Sequence, residues 1–432
     1  MSAADTSGLR PGDEVEVDIL AIAHGGHCVA RHAGRVLFVR HGIPGERVRV
    51  RVTEGGPGDR FLRADVVEVI AASPDRVPPP CPYAGSGRCG GCDFQHVAVG
   101  RQRALKAEVL REQLHRLAHV DVDPEVEALP VPGRDDDGLG WRTRVEYAVD
   151  AAGRPGLRPH RSHEVLPVDE CLLGTEAVRG APVLDRLWPG ERAVDVVASS
   201  TGEVVAVAVP SGSASAPLLT ESVHSGAWRA DLTVPARGFW QVHPASAATF
   251  VDTVLRLLAP RPGESALDLY AGVGLFAAAL AEAVGVTGSV LAVESDPRAV
   301  EVARVNLARW PQAGVLGARV DDAFGVPRPA RRGPADRRAR RPRPLRRSPH
   351  LPEHADLVVL DPPRTGAGRR VLDGVAALRP RTVAYVACDP AALARDTAYL
   401  ADSGYVMGEV RAFDAFPMTH HLEAIASFVP AS

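Results

Sequence analysis

The sequence predicts a multidomain chain. It begins with an OB-like β-barrel, continues through a central β-rich domain that carries a cysteine cluster, and ends in an α/β, doubly wound, Rossmann-like domain. Three observations carry this reading. Short β-rich runs punctuated by glycine turns fill the stretch up to Ile70, and three cysteines are bunched as C-x7-C-x2-C behind a proline-rich linker. From Ser246 onward, apolar strands alternate with helical stretches. A length of 432 residues suits two or three such units.

The barrel is assigned to residues 8–72. Between Pro11 and Ile70 the runs VEVDI, RVLFVRH, ERVRVRV and ADVVEVI are separated by HGGH, GIPGE and EGGPGD. Strands this short and close suggest a compact closed barrel, a form that binds oligonucleotides in many proteins and is plain scaffold in others.

The central domain is assigned to residues 73–245. After the linker SPDRVPPPCPY, the stretch Arg101 to Val120 has Leu105, Val109, Leu110, Leu114 and Leu117 on one helical face. Strand-like runs return between Trp141 and Val242 as RVEYAVD, VVAVAVP and DLTVP. The chain has six cysteines: Cys28, Cys81, Cys89, Cys92, Cys171 and Cys388. In a reducing compartment, bunching such as that of Cys81, Cys89 and Cys92 reads as metal or iron–sulfur ligation before disulfide.

The C-terminal domain is assigned to residues 246–432. A helical run, AATFVDTVLRLLA, precedes ALDLYAGVGLFAAALAEAV, SVLAVESD, a helix with Val300, Val302, Ala303 and Leu307, then ADLVVLDPPR and TVAYVACDP. The segment Val326 to Pro352 breaks the pattern with seven prolines and ten arginines. It cannot form the packed crossover helix expected before a parallel strand, and is predicted to be a disordered insertion. It reads as a basic arm for RNA, a solvated excursion, or the trace of a reading-frame slip.

Composition excludes fibres, wholly disordered chains and small disulfide scaffolds, with 45% hydrophobic and 24% charged residues. The opening MSAADTSGLRPGDE lacks an apolar signal region, and the run Ala271 to Val286 is interrupted by Glu282 and too short for a bilayer. A cytoplasmic protein is expected. Net charge is −3, and Lys106 is the only lysine among 50 basic residues. The Arg328–Arg347 segment carries +9 and the rest −12, so net charge decides nothing about a nucleic-acid partner.

Four motifs carry chemistry. Gly272 and Gly274, following the strand-like ALDLY, allow a tight turn and close approach of a ligand to backbone. Glu294 ends the next strand, where a carboxylate can hold ribose hydroxyls; without a third spaced glycine the pattern suits adenosylmethionine better than a dinucleotide. Asp361 opens a stiff Asp-Pro-Pro-Arg loop at a strand end, suited to planar bases or simply a turn. Cys388 also follows an apolar strand and precedes a helix start, where the dipole favours a thiolate, although a lone buried cysteine is more commonly structural. Glu423 follows His420 and His421, which would point to opposite faces of a strand and so not ligate jointly.

These segments resemble the bacterial RNA (uracil-5-)-methyltransferase family, specifically its iron–sulfur branch acting on 23S ribosomal RNA, over nearly the whole chain. PGDEVEVDILAIAHGGHCVAR and GERVRVRV are similar to its TRAM barrel, and CPYAGSGRCGGCDFQH to its cluster motif. GFWQVHP, LDLYAGVGLF, AVES, VVLDPPRTG, YVACDP and DAFPMTHHLEA follow its methyltransferase signatures in order. The resemblance implies a 4Fe-4S cluster on Cys81, Cys89, Cys92 and Cys171, and S-adenosyl-L-methionine lined by Gln241, Tyr270, Glu294 and Asp361. Cys388 would be the nucleophile, Glu423 the proton acceptor, and Asp322 would lie near the adenine. Cys28 is expected to be a bystander in the barrel.

The implied partner is RNA, ribosomal before transfer RNA, acted on by a monomer with no membrane involved. The chain departs from the family in its x7 cluster gap, usually x5, in Leu275 where relatives often carry Asn, and in the Pro/Arg segment. Cytosine-5 RNA methyltransferases would want a cysteine in the Pro-Pro loop, and radical adenosylmethionine enzymes a C-x3-C-x2-C motif; neither is present. The remaining alternative is a catalytically disabled RNA-binding or assembly factor.

Overall fold

The computed structural model describes residues 8–209, 216–226, 228–326 and 346–431. Strands β1 (Glu14–Ile22), β2 (Cys28–His32), β3 (Arg35–Arg40), β4 (Arg47–Glu54) and β5 (Phe61–Ala71) close a barrel in the order β1-β2-β3-β5-β4. Alternation sets its two faces. Val48, Val50 and Val52 are buried inside, while Arg47, Arg49 and Arg51 between them point outward to Glu16 and Glu14 across the β1–β4 ladder. Cys28 is buried in this core and its thiol donates to the Gly42 carbonyl at 3.2 Å.

Helix α1 (Val99–Ala118) follows the cysteine segment and ends in a left-handed cap at His119. Leu105, Leu110 and Leu114 are buried as expected, but Leu117 lies 37% exposed in the last turn. Strand β6 (Val126–Ala128) leads to the central units. There β7 (Arg144–Val149), β8 (Pro155–Gly156), helix α2 (Glu176–Arg179), β9 (Ala193–Ala198) and β10 (Val204–Val209) form a four-stranded sheet. Strands β11 (Leu218–His224) and β12 (Arg229–Pro235) make a separate antiparallel pair.

The remaining elements are α3 (Ser246–Leu258), β13 (Ser265–Leu269), α4 (Leu275–Val284), β14 (Ser289–Glu294), α5 (Pro297–Leu307), β15 (Ala313–Gly317), α6 (Val320–Ala323) and β16 (Leu357–Leu360). They continue with α7 (Arg369–Ala377), β17 (Thr382–Ala387), α8 (Pro390–Asp402), β18 (Tyr405–Asp414) and β19 (Glu423–Pro430). The sheet has eight strands in the order β15-β14-β13-β16-β17-β19-β18-β6. Each strand feeds two cores. Leu357 and Val359 join Phe250, Phe276 and Leu280 on one face, whereas Val358 and Leu360 join Leu110, Leu372 and Leu393 on the other.

Two expectations are corrected here. β6, upstream of the central sheet, pairs in parallel with β18, so α1 and β6 extend the doubly wound layer. Asp322 lies in the short helix α6, which starts after the extended Arg319. Most of the Val326–Pro352 segment, residues 327–345, lies outside the described residues. Its described end is packed: Ser348 N–H donates to the Ala323 carbonyl at 2.8 Å, and Leu351 is buried in the core. Among the described residues, no helix is long and apolar enough to cross a membrane.

Candidate active site

Strands β13, β14, β16 and β17 are mutually parallel, so their carboxyl ends share one edge of the sheet. Tyr270 follows β13, Glu294 ends β14, Asp361 follows β16 and Cys388 follows β17. β19 runs the other way and starts at this edge with Glu423. The antiparallel ladder pairs Ala387 with Ala424, which puts Cys388 and Glu423 opposite each other one step further on.

Cys388 and Glu423 each feel their charged neighbours. Burial pushes the Cys388 thiol up to about 12, and the Glu423 and Asp361 carboxylates reinforce it against the exposed Arg364 guanidinium. Burial also raises Glu423, which is 6% exposed, well above the usual carboxylate range; Asp361 adds to this and Arg364 opposes it. Burial alone pushes Asp361 up to about 7. The expected help from helix α8 does not decide the thiol's state. Asp389 caps that helix with its own carboxylate, accepting from Ala392 N–H at 2.8 Å, and its negative charge counters the dipole beside Cys388.

The glycine turn faces the same edge. Tyr270 adopts a positive φ of 64°, and Gly272 N–H donates to Glu294 Oε2 at 2.9 Å, tying the turn to the next strand. A Cβ on Gly272 would meet nothing within 4 Å, so open space adjoins the turn. Beneath it, Asp268 is fully buried, accepting from Ala277 N–H at 2.8 Å through one oxygen and leaving the other without a partner in the structure. A carboxylate at a strand end, an open glycine turn and spare acceptor capacity fit a ligand with ribose hydroxyls and an adenine. Leu275 is buried in the core of α4 and offers no polar contact.

Gln241 is buried and lines a second cavity, of about 550 Å³, with Thr143, Glu221, Trp240 and His243. The cleft that holds Cys388 is walled by Ala23 and His24 of the barrel, Lys106 of α1, Arg364 and His421. His420 and His421 precede β19 in a loop, so the strand argument does not apply; their rings lie 4.0 Å apart, and His420 Nδ1 is 2.6 Å from Asp93. Burial holds His421 down near 3.

Sequence reasoning missed His24, Arg364 and Lys106. Lys106 is buried against Asp414, Nζ to Oδ1 2.5 Å, and also donates to the Phe416 carbonyl. Its singularity as the only lysine was the one available signal.

The four cysteines Cys81, Cys89, Cys92 and Cys171 are free thiols. The Cys92 thiol, raised by burial, also feels the charge of Cys171, Cys89 and Cys81. Gln95 links two of them, accepting from Cys81 N–H at 3.2 Å and donating to Cys92 Sγ at 3.4 Å. Among the described residues, no three or more His, Cys, Asp and Glu side chains are arranged to hold a single metal ion.

Comparison with known proteins agrees with this architecture. A family model described as a TRAM domain matches residues 9–67, and one described as tRNA (uracil-5-)-methyltransferase matches residues 234–427. An RNA methyltransferase of Streptomyces avermitilis is 45% identical over 98% of this chain and 99% of its own. The 23S rRNA (uracil(1939)-C(5))-methyltransferase of Chromohalobacter salexigens is 34% identical over 96% of this chain and 89% of its own. Among solved structures, the tRNA (uracil-54, C5)-methyltransferase of Pyrococcus abyssi, in complex with S-adenosyl-L-homocysteine, superposes with a TM-score of 0.66 at 22% identity. That match covers 96% of this chain and all of the other.

Proposed function

This chain belongs to the RNA (uracil-5-)-methyltransferase family, and on that premise we propose that it methylates C5 of one uridine of 23S ribosomal RNA through a covalent Cys388 adduct. Relatives named as 23S rRNA enzymes align over nearly all of this chain at 34% and 32% identity, which favours ribosomal over transfer RNA. The observation that carries the chemistry is the placement of Cys388 opposite Glu423 at the carboxyl edge.

Uracil C5 is too weak a nucleophile to take a methyl group unaided, and covalent addition solves this. After losing its proton to solvent, Cys388 forms a bond to C6, and the C5–C6 π pair moves onto C5 and its conjugated carbonyl. Tyr270, Glu294, Asp361 and Gln241 would hold adenosylmethionine, which would supply the methyl group to C5 and leave as the thioether. Glu423, once its own proton has passed to solvent, takes the C5 proton; the freed pair restores the C5–C6 double bond and expels the Cys388 thiolate. A carboxyl raised by burial is a stronger base once ionised, which suits Glu423 to that step. Arg364 is the group here that favours both anions, and it stands exposed where a nucleotide would arrive. The target base must leave its stack to reach Cys388.

The 4Fe-4S cluster belongs to the same proposal, with Cys81, Cys89, Cys92 and Cys171 as ligands. Four thiols in mutual electrostatic contact supply the donor set such a cluster needs, one cysteine per iron, which differs from the demands of a single ion. With every iron ligated, the cluster would serve structure. On this reading residues 8–72 and 73–245 hold the RNA, and residues 246–432 hold the methyl donor. Mass mapping of 23S ribosomal RNA from a strain lacking the gene tests the assignment: one uridine should lose 14 mass units, the size of a methylene. Loss of a methyl from transfer RNA instead would move the target to that class.

A further inference from the structure

The turn between β1 and β2 reaches out of the barrel and touches the nucleophile's surroundings. Gly25 and Gly26 take positive φ values of 88° and 77°, and a Cβ on Gly26 would lie 2.6 Å from the Cβ of His420. Only glycine lets the turn pack this closely. The approach places His24 Nε2 2.9 Å from Asp389 Oδ2, across 365 residues of sequence. Asp389 divides its carboxylate: Oδ1 accepts from Ala392 N–H and caps α8, while Oδ2 faces His24. Cys388 is the residue before that cap.

We propose that His24 is a positioning residue for methyl transfer, acting through Asp389 to couple the seating of the barrel to the placement of Cys388. The inference rests on Cys388 as nucleophile. The pair is partly exposed, at 40% and 23%, so its worth to overall stability is small. Its leverage is geometric, because it fixes the first turn of the helix that follows the reacting sulfur, and small misplacements of a reacting group slow chemistry steeply.

The groups around His24 give the coupling a pH signature. Asp389 from the α8 cap and Glu112 from α1 favour the imidazolium, while burial and Arg116 of α1 oppose it, and the balance raises His24 above its ordinary value. The charged pair is therefore complete at low pH and is lost as pH rises through that raised value.

The test uses the full-length protein and RNA carrying 5-fluorouridine at the target, with adenosylmethionine, and follows single-turnover formation of the covalent adduct at saturating RNA. His24→Ala should slow the saturated rate about tenfold near pH 6, with RNA affinity within about twofold of wild type and an unchanged melting curve. The deficit should shrink near pH 9, where wild type has lost the charge as well. His24→Gln, which keeps a donor, should recover part of the rate. In an Asp389→Asn background, which still caps the helix, adding His24→Ala should cost no further rate at pH 6. Equal saturated rates at pH 6, a loss confined to RNA affinity, or a deficit that does not vary with pH would each overturn the proposal. If wild type itself forms no adduct, the nucleophile assignment falls, and that outcome is distinct from a variant matching an active wild type.

Discussion

Cys388 and Glu423 face each other one step beyond the Ala387–Ala424 pair, where a parallel strand leaves the sheet and an antiparallel one enters it. A nucleophile just past the end of β17 and a base at the start of β19 are brought close by the antiparallel ladder between those strands. Their shared burial raises both groups and so favours the protonated form of each.

This has a kinetic consequence. With the thiol raised to about 12 by burial and by the Glu423, Asp361 and Asp389 carboxylates, the thiolate is scarce at neutral pH. The adduct-formation rate at saturating RNA should climb steadily between about pH 6 and 9, approaching tenfold per unit, because the reactive form is the deprotonated one. Arg364→Gln removes the charge that favours the thiolate and should lower the rate across that range. Rapid-quench measurement of the adduct checks both.

Lys106 and Asp414 form a buried pair, 2% and 1% exposed, that ties α1 to the end of β18. Lys106→Met should destabilise the fold by about 3–5 kcal/mol, since it strands a buried carboxylate. The double variant Lys106→Met with Asp414→Leu should recover most of that loss. Urea denaturation followed by circular dichroism reads both values.

How far the sequence carried varies by element. The barrel and the doubly wound sheet were legible because Val48-Arg49-Val50-Arg51 alternates and Val358 and Val359 serve opposite cores. β6 was not, because Val126-Glu127-Ala128 has no pattern of its own and is a strand only by pairing with β18. The positions of Cys388, Glu423, Asp361 and Glu294 at one edge followed from strand ends. The state of Cys388 did not, because burial, with carboxylates from other strands and from the Asp389 cap, raises the thiol. His24 was illegible for the same reason as Lys106: its partner is hundreds of residues away.

Asp361 provides a stability test. Its folded value is raised to about 7 by burial, so the folded state keeps a proton that the unfolded chain has released. Stability therefore falls as pH rises from the unfolded value, about 4, through 7. Asp361→Asn should raise the melting temperature relative to wild type at pH 8 and leave it nearly unchanged at pH 4. Differential scanning calorimetry at the two pH values decides it.

Protein purified without oxygen should be brown and contain about four iron and four sulfide per chain. Cys81→Ser, Cys89→Ser, Cys92→Ser and Cys171→Ser should each lose this. Cys28→Ser should retain it, because Cys28 is buried in the barrel and bonded to Gly42. Elemental analysis with visible absorption provides the check, and stoichiometric zinc without sulfide would contradict the assignment.

The most direct test of the account is the fate of RNA on the Glu423→Gln variant. Without its base the variant should add Cys388 to C6 and accept the methyl group but fail to remove the C5 proton. Peptide mapping by mass spectrometry should then find methylated RNA attached to Cys388, while Cys388→Ala binds adenosylmethionine and forms no adduct. Free turnover by Glu423→Gln with no trapped RNA, or methyl transfer by Cys388→Ala, would contradict it.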